Sequence, residues 1–542
     1  MLPLFLVFFA LIAVDALILR AGFRLPYRGS IFMIVVAAAL FIAAYKSLAA
    51  LLQLLVRNLP LGLSLTAIIA SPAFGYAGVG LPVLAMGVFA RDWGALLPIR
   101  WYQQILFDQA ARGSPVHESA VPFAILAGMA LGLFALAWLR LLLLPPDPPG
   151  EEAPVRRHSP GVGPAFIGEW RRVLADRGVF SILVVAPVFY GVFYPQPYLG
   201  QLVRKIPIAV VDDDRSDLSR RFIQTLDADE AISVAVRAPA LDVAQQALFA
   251  RQVFGIVEIP PDTEREVLKG NAARVPAYVD SAYFLVFNRS LQGILESAAD
   301  TNFTNASRGE GAGATLALAA ISPMELLMEP LYNPTGGYAS YVVPAAFVLI
   351  IQQTLLIGAA TLTGLGFEDR GSASRMMPIG PASLLGRGLA HLTVYFAALV
   401  LFLVILPRIY GFSTLGRLID MALFAVPFVL ATSFMGQAAG CFFKHRETAV
   451  LVFVATTLPQ FFLVGVSWPR EMIPPLLDHI RRIFPSESAI DGLVRINQMG
   501  AALGEVRADW LYLWLLAAIY FGLAVLAARR QRATEVANAL AV

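Results

Sequence analysis

A single cysteine, Cys441, stands in 542 residues, so no disulfide can close within the chain and no cysteine pair offers redox chemistry. Histidine is nearly as scarce. His117, His158, His391, His445 and His479 are scattered, and they form no visible metal-ligand cluster. No GxxxxGK[ST] occurs, and the GEGAGA run at 309–314 lacks the lysine and the preceding strand of a phosphate cradle, so ATP is not bound by that route. Charge is also thin: 15% of residues, against about a quarter in a soluble domain. A net charge of +3 supplies no basic face for nucleic acid.

What fills the chain instead is apolar, 58% of it. Apolar runs of about 20 residues recur, the length that crosses a bilayer as helix. The chain therefore reads as an integral membrane protein. Residues 2–19 are apolar but carry no positive leading region, so they are expected to stay as a helix rather than be removed as a signal peptide.

The sequence also resembles itself. PAFGYAGVGLPVLAMG, from Pro72, and PQFFLVGVSWPREMIP, from Pro459, stand 387 positions apart, as do Gly113 and Gly500 at the far end of each stretch. Pro72, Phe74, Gly78, Val79, Pro82, Pro98 and Gly113 recur as Pro459, Phe461, Gly465, Val466, Pro469, Pro485 and Gly500. Arg57 and Asn58 fall opposite Lys444 and His445, at a break between two apolar runs. Self-similarity of this kind marks one module used twice. In each copy an apolar run climbs to a Gly and a Pro, a shorter amphipathic piece follows, and Pro turns the chain. The middle piece is expected to dip into the outer leaflet as short helices. Gly78, Pro82, Gly465, Pro469 and Glu471 mark that turn.

Spans are expected at 1–20, 30–56, 59–81 and 119–143, then at 179–195, 341–364, 388–407, 418–442, 447–467 and 509–528. Between the two sets, residues 141–164 are dense in Pro and charge and read as a linker. Phe166, Trp170, Val173 and Leu174 then recur at helical spacing, with Glu169, Arg171, Arg172 and Arg177 on other faces, as in a helix lying in the inner headgroup layer. Arg156, Arg157, Arg370, Arg375, Arg387, Lys444, Arg446, Arg529, Arg530 and Arg532 all fall on one side of this arrangement, which the positive-inside rule makes cytoplasmic. Arg20, Arg24 and Arg28 run against it, flanking a loop that the repeat places outside.

Residues 196–340 change character. Strand-like runs at 206–212, 232–236, 254–259 and 275–280 alternate with helical ones at 216–227, 241–251 and 260–270, the pattern of a compact α/β domain. Ser216 is expected to cap the first helix. Phe284, Phe287, Leu291 and Leu295 are spaced to form the apolar face of a helix returning to the membrane. Asp212, Asp213 and Asp214 could hold a cation, but a strand end just before a helix favours acids for backbone hydrogen bonding, and that reading is preferred. Asp15 and Lys46 lie inside spans. At 1.5 Å per residue they sit at levels about 16 Å apart, too far for a direct bridge. Asp15 is expected to reach the outer interface and Lys46 to extend inward.

The loop GFEDRGSASRMMPIGPASLLGRG (366–388) mixes charges, small residues and two prolines. Glu368, Arg370, Gly371, Ser372, Arg375, Met377 and Pro378, then Leu384, Leu385, Gly386 and Arg387, match E-x-E-x-G-T-x-E/R-x-L-x-x-x-P followed by L-L-x-G-K/R, with Ser372 for Thr and Met377 for Leu. In that order and company, VVDDDRSDLSRRF and GVSWPREMIP complete a resemblance to permeases of type-2 ABC exporters, the drug-exporter kind with a large outer domain. The resemblance covers about residues 165–542 as a whole unit. Residues 1–143 resemble only its last four spans, so either a start lies upstream or another chain supplies the missing part.

The resemblance implies a polytopic α-helical membrane protein of about ten spanning helices with one extracytoplasmic α/β domain. Its units are a partial permease at 1–143, a linker at 144–164, an interfacial helix and first span at 165–195, the outer domain at 196–340, and five further spans at 341–542. It implies no catalytic residue, no metal and no cofactor in this chain. Mg-ATP is expected in a separate cytoplasmic ATPase that contacts Glu368, Arg370, Gly371, Ser372, Arg375, Pro378 and Arg387. Other implied partners are a second permease unit or a second copy, a periplasmic adaptor, and the lipid of an inner membrane. Two other classes compete with this one: a gradient-driven secondary transporter, and a membrane scaffold that transports nothing.

Overall fold

The computed structural model describes residues 2–24, 27–144, 161–269, 271–307, 332–333, 336–368, 380–443, 445, 447–466 and 470–540. They form two compact units, each assembled from separate stretches of chain. The first holds Met1–Ser47, Ala73–Ala135 and Leu202–Glu329; the second holds Leu48–Pro72, Leu136–Gln201 and Pro330–Val542.

Among the described residues nine helices are long and apolar enough to cross a membrane. The expected tenth, at 447–467, is the 17-residue helix Glu447–Leu463, with Pro459 inside it. It stops at a turn around Gly465, so it is shorter than its apolar run. The expected span 59–81 also breaks early, into Leu59–Ala70 and Ala73–Tyr76. Asp15 is exposed and Lys46 half-buried, and no ion pair joins them among the described residues.

In the first unit, β1 (Ile206–Asp212), β2 (Ile232–Ala238), β3 (Gly255–Ile259) and β4 (Ala277–Val279) form a sheet in the order β2-β1-β3-β4. β1 runs parallel to both neighbours, and β4 is antiparallel to β3. β1 is central and apolar almost throughout, as a strand covered on both faces must be. Ala209, Val211 and Ile256 meet Ala244 and Ala247 of helix Leu241–Phe249 in one core. Ser216 caps Asp217–Ala228, its hydroxyl accepting from the Ser219 amide at 3.0 Å.

The expected helix over 284–295 forms as Phe284–Ser307, and it packs through small residues. Phe284 and Leu295 are 74% and 60% exposed, while Val286, Ser290, Gly293, Ile294 and Ser297 are buried. A Cβ on Gly293 would stand 2.7 Å from Asp229 Oδ1 and 3.1 Å from Ala231 Cβ. Close backbone approach selects the small-residue face, while Phe284 and Leu295 are left outward and Phe287 and Leu291 are half-buried.

In the second unit the long helix Tyr338–Glu368 is buried along most of its length and packs on Leu418–Gly440. Gly436 and Gly440 permit it: their Cβ positions lie 2.9 Å from the Leu356 carbonyl oxygen and 2.6 Å from that of Ala360. This is the small-xxx-small contact that lets helices associate in lipid. Ile182, Leu356, Ala449 and Phe453 fill one neighbouring core, and Phe434, Leu516 and Tyr520 another. Two spanning helices contain a π turn, at Ser181–Val185 and Leu401–Ile405, each followed two residues on by Pro187 or Pro407. The wider turn relieves the clash and the missing donor that proline brings to a helix. Cys441, at the end of Leu418–Gly440, is buried.

The two similar stretches adopt the same local conformations. Gly78 and Gly465 both have positive φ, +91° and +82°, as do Gly113 and Gly500, +71° and +75°. The 3-10 turn Val83–Ala85 reappears as Arg470–Met472, at the same offset of 387 as Gly78 and Gly465. Helices starting at Val88 and Pro98 reappear starting at Pro475 and Pro485. A Cβ on Gly78 would meet Val83 Cγ2 at 2.9 Å, and one on Gly465 would meet Arg470 Cγ at 2.5 Å. In both copies, then, the glycine accommodates the residue five positions later.

Candidate functional site

The helix Val162–Ala175 and the helix Pro381–Val400, which follows the 366–388 loop, cross closely at Gly386. A Cβ there would stand 2.3 Å from the Val162 carbonyl oxygen and 2.9 Å from Ala165 Cβ. The face of the first helix that turns inward is Ala165, Glu169 and Val173, at i, i+4 and i+8. Of the expected apolar set, Val173 is buried, Phe166 and Trp170 are half-buried and Leu174 is exposed. Glu169, expected among the headgroups, is 2% exposed.

Three basic groups converge on that acid. Arg172 Nη1 lies 3.2 Å from Glu169 Oε2, Arg387 Nε 3.7 Å from the same oxygen, and His391 Nε2 3.4 Å from Oε1. Arg387 and His391 are fully buried, at 3% and 0% exposure, one helical turn apart on Pro381–Val400. Arg172 also donates to the Leu362 carbonyl at 3.0 Å, near the end of Tyr338–Glu368. From His391 the contacts continue: Nδ1 is 2.8 Å from the Ser433 hydroxyl, which accepts from the Gln437 amide at 3.1 Å. Trp170 adds an indole N–H to the Thr393 hydroxyl at 2.9 Å. Burial by itself would push the Glu169 carboxyl up, but the guanidiniums of Arg172 and Arg387, with His391, outweigh it and hold the group well below the usual carboxylate range. The acid is therefore a charged fastener among four helices.

This changes the place of Arg387. The sequence reading grouped it with residues that face a partner, but it is an interior residue joined to Glu169. Glu368 ends the helix Tyr338–Glu368. Arg370, Gly371, Ser372, Arg375 and Pro378 lie outside the described residues, as does Pro469. Pro82 is buried just before the turn Val83–Ala85, and Glu471 is exposed within Arg470–Met472.

Arg470, one residue before Glu471, is the more connected. Its guanidinium lies 3.7 Å from Glu487 Oε1 and 3.4 Å from Asp491 Oδ1. Glu487 also pairs with Arg481, which holds Asp478 through Nε at 2.8 Å. A second missed group lies in the first unit. Asp108 accepts from Arg251 Nε at 2.9 Å and pairs with Arg112 at 3.7 Å, while Arg112 also pairs with Asp280. Burial pushes the Asp108 carboxyl up, against the pull of Arg251, Arg112 and the Ser119 hydroxyl. The available signal was spacing: Arg387 and His391, at i and i+4 in an otherwise apolar helix, require an acid opposite them. No such spacing joins Asp108 to Asp280, which only the fold brings together.

Asp212, by contrast, behaves as the sequence suggested, accepting from the Arg215 amide and the Ser219 hydroxyl, each at 2.9 Å. Among the described residues no group of three or more His, Cys, Asp or Glu could hold a metal ion.

A family model described as "ABC-2 family transporter protein" matches residues 177–526. The chain is also similar to a protein named inner membrane transport permease YhhJ, in Escherichia coli (strain K12) and in Shigella flexneri. Each is 23% identical over 388 residues, covering 69% of this chain and 98% of the relative. The match takes in the helices Arg177–Phe180, Tyr338–Glu368, Pro381–Val400 and Leu418–Gly440, and with them most of the Glu169 cluster's partners. By that match over most of its length, this multi-pass membrane protein belongs to the ABC-2 family of transporter proteins.

Proposed function

We propose that the chain is the permease subunit of an ATP-driven exporter in an inner membrane, with nucleotide bound and hydrolysed by a separate cytoplasmic ATPase. The observation that carries this reading is the buried Glu169 cluster. It ties the helix Val162–Ala175 to the two helices that bracket the 366–388 loop. A push on that loop then moves several helices as a body instead of bending one connector. A ligand shifts such an equilibrium only by binding its two states unequally, so the drive comes from ATPase contacts at Glu368, Arg370, Gly371, Ser372, Arg375 and Pro378. Arg387 transmits what those residues receive.

On this reading the α/β domain stands outside the cytoplasm. The stretches 72–113 and 459–500 are two copies of one module dipping into the outer leaflet, and a second permease unit or a second copy of the chain completes the pathway. The names of the similar permeases support the inner-membrane placement. A gradient-driven carrier would work without ATP.

The test is the double substitution Glu368→Ala with Arg370→Ala in the complex co-expressed with its ATPase. The expected result is loss of ATPase co-purification and of ATP-dependent transport into inverted vesicles, with the permease still in the membrane. Unchanged co-purification and transport would overturn the docking assignment.

A further inference from the structure

We infer that the first unit carries a binding site for an amphiphile with one anionic head, and that this is the substrate class of the exporter. The class assignment rests on the transport reading above, while the site itself stands on the geometry that follows.

A cavity of about 490 Å³ lies between the loop joining the first two spans, the turn Phe107–Arg112, and the end of helix Leu241–Phe249 with the chain just after β4. That volume is in the range of small-molecule sites, about 300–1,000 Å³. Its walls are mostly apolar, with Leu19, Leu106, Phe107, Leu248 and Phe249 among them. Among the described residues three charged side chains reach it. Arg112 and Asp280 are paired with each other and cancel. The remaining one is Arg28, exposed at the rim and without an ion pair among the described residues. The cavity thus has a net single positive charge and a greasy interior, which matches a tail joined to one acid group.

The rim is built, not accidental. The Arg28 amide donates to the Ala110 carbonyl at 3.3 Å, the Gly29 amide to that of Gln109 at 2.7 Å, and the Ser30 amide to the Gln109 side chain at 2.9 Å. Gly113, at φ +71°, leaves just enough room: a Cβ there would stand 2.8 Å from Arg28 Cβ. The opposite wall is held by the buried set Asp108, Arg112, Asp280 and Arg251, with the Arg112 guanidinium over the rings of Phe254 and Tyr283 at 5.6 and 5.5 Å.

Position agrees with chemistry. Leu19 is near the end of the span Pro3–Ala21, and Arg28 shortly precedes the span Ile31–Val56. The cavity therefore opens at the level where hydrocarbon gives way to water, where an amphiphile already orients tail inward and head outward. Arginine there meets a carboxylate or phosphate with charge-assisted hydrogen bonds.

The test uses the full chain in phosphatidylcholine nanodiscs, with no nucleotide and no ATPase, so that its outcome is separate from that of the transport reading. The probe is dodecanoic acid carrying a terminal diazirine, crosslinked by light and located by peptide mass spectrometry. Adducts are expected on peptides containing 106–111 and 248–249, competed by dodecanoate but not by dodecanol or dodecyltrimethylammonium. Arg28→Gln, at an exposed position, should lower this labelling about tenfold, the loss of one charge-assisted contact, and Arg28→Lys should restore most of it. Ala111→Trp should fill the cavity and remove the adducts. Labelling confined to lipid-facing helices, equal competition by all three amphiphiles, or labelling unchanged by Arg28→Gln would each overturn the assignment.

Discussion

Glu169 shows how much one acid can organise in a chain with little charge. Removing one partner from a buried ion pair costs about 3–5 kcal/mol, because the remaining charge is left without compensation. Glu169→Gln removes the negative charge from beside Arg172, Arg387 and His391, and should lower thermal stability by that order. It should also change the response to acid. The folded carboxyl titrates below its unfolded value of about 4.3. Its contribution is therefore full above that value and is lost as pH falls toward and through the lowered one. Thermal unfolding of the two proteins should accordingly differ most at neutral pH and converge as the buffer is acidified below 4.3. A constant difference across the range would show that Glu169 acts by shape alone. Gly386 is the steric counterpart of this acid. Gly386→Leu should separate the same two helices and weaken the cluster without touching a charge, at a cost of about 1–3 kcal/mol for overpacking.

At the scale of the element, membrane helices and strands were legible because each leaves a simple pattern. Apolar runs located the nine long helices found among the described residues, and alternation of strand-like and helical stretches located β1 to β4 to within a few residues. What the sequence hid was which face of an element turns inward. For Phe284–Ser307 and Val162–Ala175, the apolar residues suggested one face, and small or charged residues formed the other. Beside lipid, as for Val162–Ala175, apolar surface carries no obligation to be buried, so close approach and polar pairing decide instead; on Phe284–Ser307 the close approach of Gly293 to Asp229 and Ala231 decides. Gly436 and Gly440 test that rule. Gly436→Val or Gly440→Val should push Leu418–Gly440 away from Tyr338–Glu368 and cost about 1–3 kcal/mol each, read as loss of thermal stability. Equal substitutions at Gly128 or Gly132, whose Cβ positions meet nothing within 4 Å, should be close to neutral.

For the whole molecule, the sequence carried the family through scattered motifs, whereas the identity of the acid facing Arg387 and His391, and the whole Asp108 to Asp280 set, could appear only once distant stretches were folded together. Both compact units are interleaved along the chain, so neighbours in sequence are often not neighbours in the fold. If the permease has no fuel of its own, the pure chain in proteoliposomes should hydrolyse no ATP and move no solute, and both activities should appear when the ATPase is added. Turnover by the isolated chain would overturn that division of labour.

The single shielded thiol, finally, makes this protein ready for topology mapping. Because Cys441 is buried, a reporter cysteine can be placed elsewhere without first stripping the native background. On the proposed arrangement, Asp213→Cys in intact spheroplasts should react with a membrane-impermeant maleimide, and Arg529→Cys only after the bilayer is opened. The reverse pattern would turn the molecule over.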